Sequence, residues 1–79
     1  MKIGDLFKNN WAGYETYLVY ISGNNRMSNV LSCVFYKDKW NLSKKQYNTN
    51  YLGSENIPKI GHIDLTNVIL KAIGKENDV

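Results

Sequence analysis

Two runs of alternating residues set the pattern of apolar and polar positions. They are Tyr14-Glu15-Thr16-Tyr17-Leu18-Val19-Tyr20-Ile21 and Val30-Leu31-Ser32-Cys33-Val34-Phe35-Tyr36. Both are rich in the β-branched and aromatic side chains that favour strands. Ser22-Gly23-Asn24-Asn25-Arg26 separates them with a loop's composition, and Lys37-Asp38-Lys39 makes a shorter turn into a polar third strand from Trp40 to Tyr47. The three runs predict an antiparallel meander of three or more strands. In a strand, successive side chains point to opposite faces. In the first run Tyr14, Thr16, Leu18 and Tyr20 face one way, and Glu15, Tyr17, Val19 and Ile21 the other. In the second, Val30, Ser32, Val34 and Tyr36 oppose Leu31, Cys33 and Phe35. Neither face is cleanly polar, so the pattern asks for cover on both sides of the sheet.

The flanks read differently. Ile3, Leu6, Phe7 and Trp11 fall at helical spacing, with Asn9-Asn10 and Gly13 as the stop. This predicts an N-terminal helix within 1–13, docked through Phe7 and Trp11. The meander then occupies 14–47. Residues 48–63, with Asn48-Thr49-Asn50, Gly53-Ser54 and Ile57-Pro58, read as loop. Asp64 as cap, the stripe Leu65, Val68, Ile69, Ala72 and Ile73, and Gly74 as stop predict a second helix over 64–74. The alternative there is a hairpin pairing 60–65 with 68–73. The tail 75–79 is expected to fray. The fold class expected is therefore α+β: one small domain with two short helices packed on one face of the meander.

Size limits what the chain can do. At 79 residues it is a single domain with a thin core. Cys33 is the only cysteine and His62 the only histidine. Inside a strand, Cys33 reads as a small buried hydrophobe. A nucleophilic site needs a nucleophile, a base and an orienter, and the spacing of Cys33 and His62 does not bring them together. Structural zinc needs about four converging ligands, which the sequence does not offer. No phosphate-cradling glycine motif occurs. Catalytic, cofactor and metal sites are accordingly not expected, and the protein is not read as an enzyme. Met1-Lys2-Ile3-Gly4-Asp5 lacks the apolar core of a secretory signal, and no run reaches the length of a membrane span. The expectation is a cytoplasmic protein without membrane contact.

Ten basic residues against seven acidic give a net charge of +3, mild enough to permit an acidic partner without requiring one. Nine of the ten are lysine, and Arg26 is the single arginine. Aromatics are the richer signal. Tyr14, Tyr20, Tyr36 and Trp40, rimmed by Lys37 and Lys39, suit a protein partner, because large rigid rings concentrate at interface centres. A homodimer would cover the second face of the sheet with a second copy of the chain. The rings also suit single-stranded nucleic acid, with stacking on the aromatics and phosphates held by Arg26, Lys44 and Lys45.

The opening Met1-Lys2-Ile3, followed by Asp5-Leu6-Phe7, on a short chain rich in Asn, Lys and Tyr, resembles small accessory proteins of phages and mobile elements of AT-rich Gram-positive bacteria. Anti-CRISPR inhibitors of host defence belong to that class. The resemblance implies a stoichiometric binder, an inhibitor of a host or defence protein, rather than a catalyst.

Overall fold

A computed structural model describes residues 1–75. It holds five strands: β1 (Asp5–Lys8), β2 (Thr16–Gly23), β3 (Met27–Tyr36), β4 (Lys39–Asn48) and β5 (Lys59–His62). A 3₁₀ turn, Thr49–Tyr51, follows β4, and one helix, α1 (Leu65–Ala72), follows β5. The strands form one sheet in the order β4-β3-β2-β1-β5, every pair antiparallel. The α+β expectation of two helices on a small meander is overturned: the fold is mostly antiparallel sheet with a single C-terminal helix. Of the expected tail 75–79, everything past Lys75 lies outside the described residues.

The expected N-terminal helix is instead β1. The turn-formers on either side leave too few residues to nucleate a helix. Asn9 and Asn10 close the segment downstream, and Gly4 opens it at φ 98°, where a Cβ would run into the Ile63 carbonyl oxygen. As a strand, β1 hydrogen-bonds on both sides, to β2 and to β5. Phe7 then enters the core at 2% exposure, while Trp11 stays 61% exposed, so only one of the two expected anchors packs.

The stretch expected to be loop, 48–63, contains the returning strand β5 and a crossover that spans one face of the sheet from edge to edge. Both ends of the crossover are fastened. The Thr49 hydroxyl donates to the Asn24 carbonyl at 2.7 Å and lies 2.8 Å from the Ser28 hydroxyl. Further on, Lys8 and Asn10 backbone N–H groups donate to the Pro58 and Asn56 carbonyls at 3.1 and 2.8 Å. Between these anchors, Leu52 and Ile57 drop onto the sheet and complete the core with Phe7, Leu18, Tyr20 and Val30, with Tyr47 against its edge. A single sheet with cover on one side accounts for the smallest molecular dimension, 19 Å, since layers stack about 10 Å apart.

Asp64 caps α1, accepting from the Asn67 backbone N–H at 3.2 Å. Gly74 at φ 75° ends it, with the Gly74 and Lys75 N–H groups donating back to the Lys71 and Leu70 carbonyls. The helix is held less deeply than expected, with Leu65 and Leu70 half-buried. None of its residues is buried, and the substantial contacts between elements all run strand to strand. Among the described residues no helix is long and apolar enough to cross a membrane.

The β3–β4 hairpin turns on two residues, Lys37 (φ 54°) and Asp38 (φ 62°), rather than on three. A two-residue turn with both φ positive is the type I′ form, whose twist matches the flanking strands. It pairs Phe35 with Trp40 and Tyr36 with Lys39, so the expected cross-strand pair of Tyr36 and Trp40 does not form.

Two outcomes follow for stability. Ile57, fully buried in the crossover, should cost about 2–5 kcal/mol when cut to alanine, measured by urea unfolding. Lys37→Asn with Asp38→Gly puts the preferred residues into the left-handed turn and should gain about 1 kcal/mol, raising the thermal midpoint by roughly 4–8 °C for a domain this small.

Candidate interaction surface

The side of the sheet away from the crossover is open. Strand pairing places Leu6, Tyr17, Val19, Leu31, Cys33, Phe35, Trp40, Leu42 and Lys44 on it, and Ile21 joins them at an irregularity in the β2–β3 pairing. Three rings gather at one end. Phe35 and Trp40 have centroids 5.2 Å apart, and Tyr17 and Trp40 5.9 Å. The Tyr17 hydroxyl donates to the Glu15 carboxylate at 2.7 Å, and this bond is the main reason the phenol's pKa is raised. Toward the other end, Ile21, Leu31, Asn29, Lys44 and Gln46 line a shallow groove. Cys33 lies between, half-buried, and burial pushes its thiol above the usual value.

The polarity of β3 and β4 is the informative feature. On β4 the open side carries Trp40 and Leu42, followed by Lys44 and Gln46, whereas the other side carries Lys39, Asn41, Ser43 and Lys45 before Tyr47; β3 is apolar on both sides, with Leu31, Cys33 and Phe35 on the open one and Val30 and Val34 on the covered one. In an isolated half-covered sheet the apolar side faces the core and the polar side faces water. Here the first half of β4 is arranged the other way round, and Trp40 and Leu42 are left 49% and 60% exposed.

The residues expected to form a partner surface are divided by this arrangement. Tyr14 and Tyr36 meet edge to face at 4.8 Å, with the Lys37 ammonium 5.3 Å from the Tyr36 ring. Tyr36 and Lys39 stand opposite each other on the crossover side of the sheet, so this group lies across the sheet from Trp40. Tyr20, at 9% exposure, is a core ring and presents no contact surface. Of the expected set, Trp40 alone belongs to the open face. The cations proposed for nucleic acid do not converge either. Lys44 points to the open face and Lys45 to the other. Arg26, in the β2–β3 turn, is four residues, about 13 Å, along the chain from Val30, the partner of Lys45. The residues missed were Tyr17, Ile21, Leu31, Phe35 and Leu42. Alternation had already grouped most of them, and the two-residue turn that adds Trp40 and Leu42 was the missing step.

A second cluster gathers at the β1–β5 edge. Asp5, 3% exposed, accepts from the Lys2 backbone N–H at 2.9 Å, pairs with the Lys59 ammonium at 3.4 Å and lies 2.9 Å from His62 Nδ1. The Lys2 hydrogen bond is the largest cause of its depressed pKa, about 2, with His62 and Lys59 adding to it against the opposing effect of burial. An ionised carboxylate only accepts, so Nδ1 carries the ring proton. The pair ties β5 to β1. Cys33 is on the opposite face and three strands away, about 14 Å at the usual strand spacing, so the two do not combine into a nucleophilic site. Among the described residues no three His, Cys, Asp or Glu side chains gather as metal ligands.

These features define a small antiparallel-sheet protein with one covered and one open apolar face. No family model matches the chain, and no curated protein or solved structure is similar to it.

The Asp5 cluster makes a pH prediction. Its folded pKa lies below the ordinary 3.8, so its contribution to stability is complete above about pH 4 and is lost as pH falls toward 2. Urea midpoints should drop across that window in the wild type, and Asp5→Asn should flatten the drop while lowering stability at neutral pH by about 1–3 kcal/mol.

Proposed function

We propose that the protein is a non-enzymatic protein-binding module whose contact surface is the open face of the sheet. The observation that carries this reading is the reversed polarity of the first half of β4, which turns Trp40 and Leu42 toward solvent beside Leu31 and Phe35 of β3. Contiguous apolar surface rimmed by polar groups marks interaction sites. Tyr17, Phe35 and Trp40 supply the rigid aromatic anchors found at interface centres. The short chain's resemblance to phage and mobile-element accessory proteins agrees with a role by stoichiometric occlusion. Dispersal of Arg26, Lys44 and Lys45 weighs against a single-stranded nucleic acid as the occupant.

Trp40 and Leu42 are exposed enough to be replaced without opening the core. Trp40→Ala with Leu42→Ser should leave the thermal midpoint within a few degrees of wild type and abolish partner binding measured by quantitative affinity capture from the native host. The matched control, Tyr14→Ala with Tyr36→Ala on the other side, should retain it. Loss in the control alone would move the surface to the crossover side. Oligonucleotide binding that weakens steeply with salt would replace the reading with the nucleic-acid one.

A further inference from the structure

We infer that the occupant of the open face is a second copy of this chain, packed sheet on sheet, with α1 completing the contact; the inference rests on the open face being a protein interface.

Three observations point to self-association. First, the chain carries a second unpartnered apolar surface. Helix α1 and its C-cap present Val68, Ile69 and Ile73 at 55–59% exposure, and among the described residues of the helix only Leu65 and Leu70 are half-buried. Second, the areas match. The exposed parts of Tyr17, Ile21, Leu31, Cys33, Phe35, Trp40 and Leu42 come to roughly 500 Å² and the helix stripe adds about 350 Å², against about 800 Å² per partner in a stable interface. The sheet face alone falls short; sheet and helix together reach it.

Third, the charges permit it. Two identical faces can be buried only if like charges are not forced together. The centre of the patch, from Leu31 to Phe35 on β3 and from Trp40 to Leu42 on β4, is uncharged. Its charged neighbours stand at opposite ends. Glu15 is beside Tyr17 and Phe35, with Lys8 opposite Tyr17 on its other side, and Lys44 is opposite Leu31. A two-fold pairing that exchanges the ends sets Glu15 of each copy toward the Lys44 end of the other. Aligned sheets packed about 10 Å apart would then enclose a second core from the two open faces.

Sedimentation equilibrium of the full chain from 1 to 300 µM tests this, with thiol labelling of Cys33 as an independent probe of the patch centre. The expected result is a mass moving from 9.1 kDa toward twice that value with concentration, and Cys33 labelling slowed at least tenfold at the upper end. Leu42→Lys should hold the protein monomeric, with fast labelling and unchanged circular dichroism. Ile69→Lys should weaken dimerisation at least tenfold, which tests the helix separately. A wild type that stays monomeric at 300 µM with fast labelling overturns the inference. If such a monomer still captures a host protein through Trp40 and Leu42, the binding reading stands and only the second copy is excluded. A dimer indifferent to Leu42→Lys overturns the choice of face, and one indifferent to Ile69→Lys overturns the part assigned to α1.

Discussion

A five-stranded sheet has two faces, and among the described residues one segment spans one of them from edge to edge. The β4–β5 crossover is that segment, and most of the molecule depends on its placement. It carries Leu52 and Ile57 onto the sheet, where they close the core formed by Phe7, Leu18, Tyr20 and Val30. It also delivers β5 to the free side of β1, turning a four-residue strand into an interior one. A strand that short gains little from a single neighbour. Hydrogen bonding on both sides is what holds Asp5–Lys8 extended against its helical spacing.

The anchors of the crossover explain the buried polar groups. Ser28 is fully buried because its hydroxyl meets Thr49 where the crossover begins. Asp5 is buried where it ends, and its charge is met by a backbone N–H, the Lys59 ammonium and His62. Buried charge is tolerable only with such partners. The polar cluster therefore specifies the position of β5, whereas the apolar contacts of Leu52 and Ile57 provide the stabilisation. His62 looks chemical in isolation, but its geometry is that of a side chain tying two strands together.

The meander was readable in the sequence because alternation is strong over Thr16–Gly23 and Met27–Tyr36, and because a capping Asp64 and a stopping Gly74 bracket α1. Three other features were hidden for physical reasons. In β1, Leu6 and Phe7 fit a helical stripe and an extended strand equally well, and only contacts with β2 and β5, distant in sequence, decide between them. β5 is four residues containing a glycine, too short for any period to register. The Lys37-Asp38 turn lacks the Asn-Gly pair that announces type I′, so the register of β4 was one residue off. A slip of one residue exchanges the faces of a whole strand. That single error placed Trp40 beside Tyr36 instead of Phe35 and so grouped it with side chains of the opposite face.

Once β4 is in its actual register, the open face has a consistent physical meaning. The crossover covers β1, β2 and the near part of β3, and it leaves the outer side chains Asn41, Ser43 and Lys45 in water, where they are well solvated. Leu31, Cys33 and Phe35 of β3 and Trp40 and Leu42 of β4 point the other way, into a surface that the described segments leave largely uncovered over these two strands. Burial of such groups is worth about 25 cal/mol per Å² of apolar area. Roughly 500 Å² of open face is thus comparable in magnitude to the whole net stability of a small domain, about 5–15 kcal/mol. A 79-residue chain with seven buried apolar side chains gains little by leaving that much unburied. Two type I′ residues held at positive φ, which alone cost about 1–2 kcal/mol each, fix the register that turns Trp40 and Leu42 outward. The fold therefore spends stability to hold the register that presents this face.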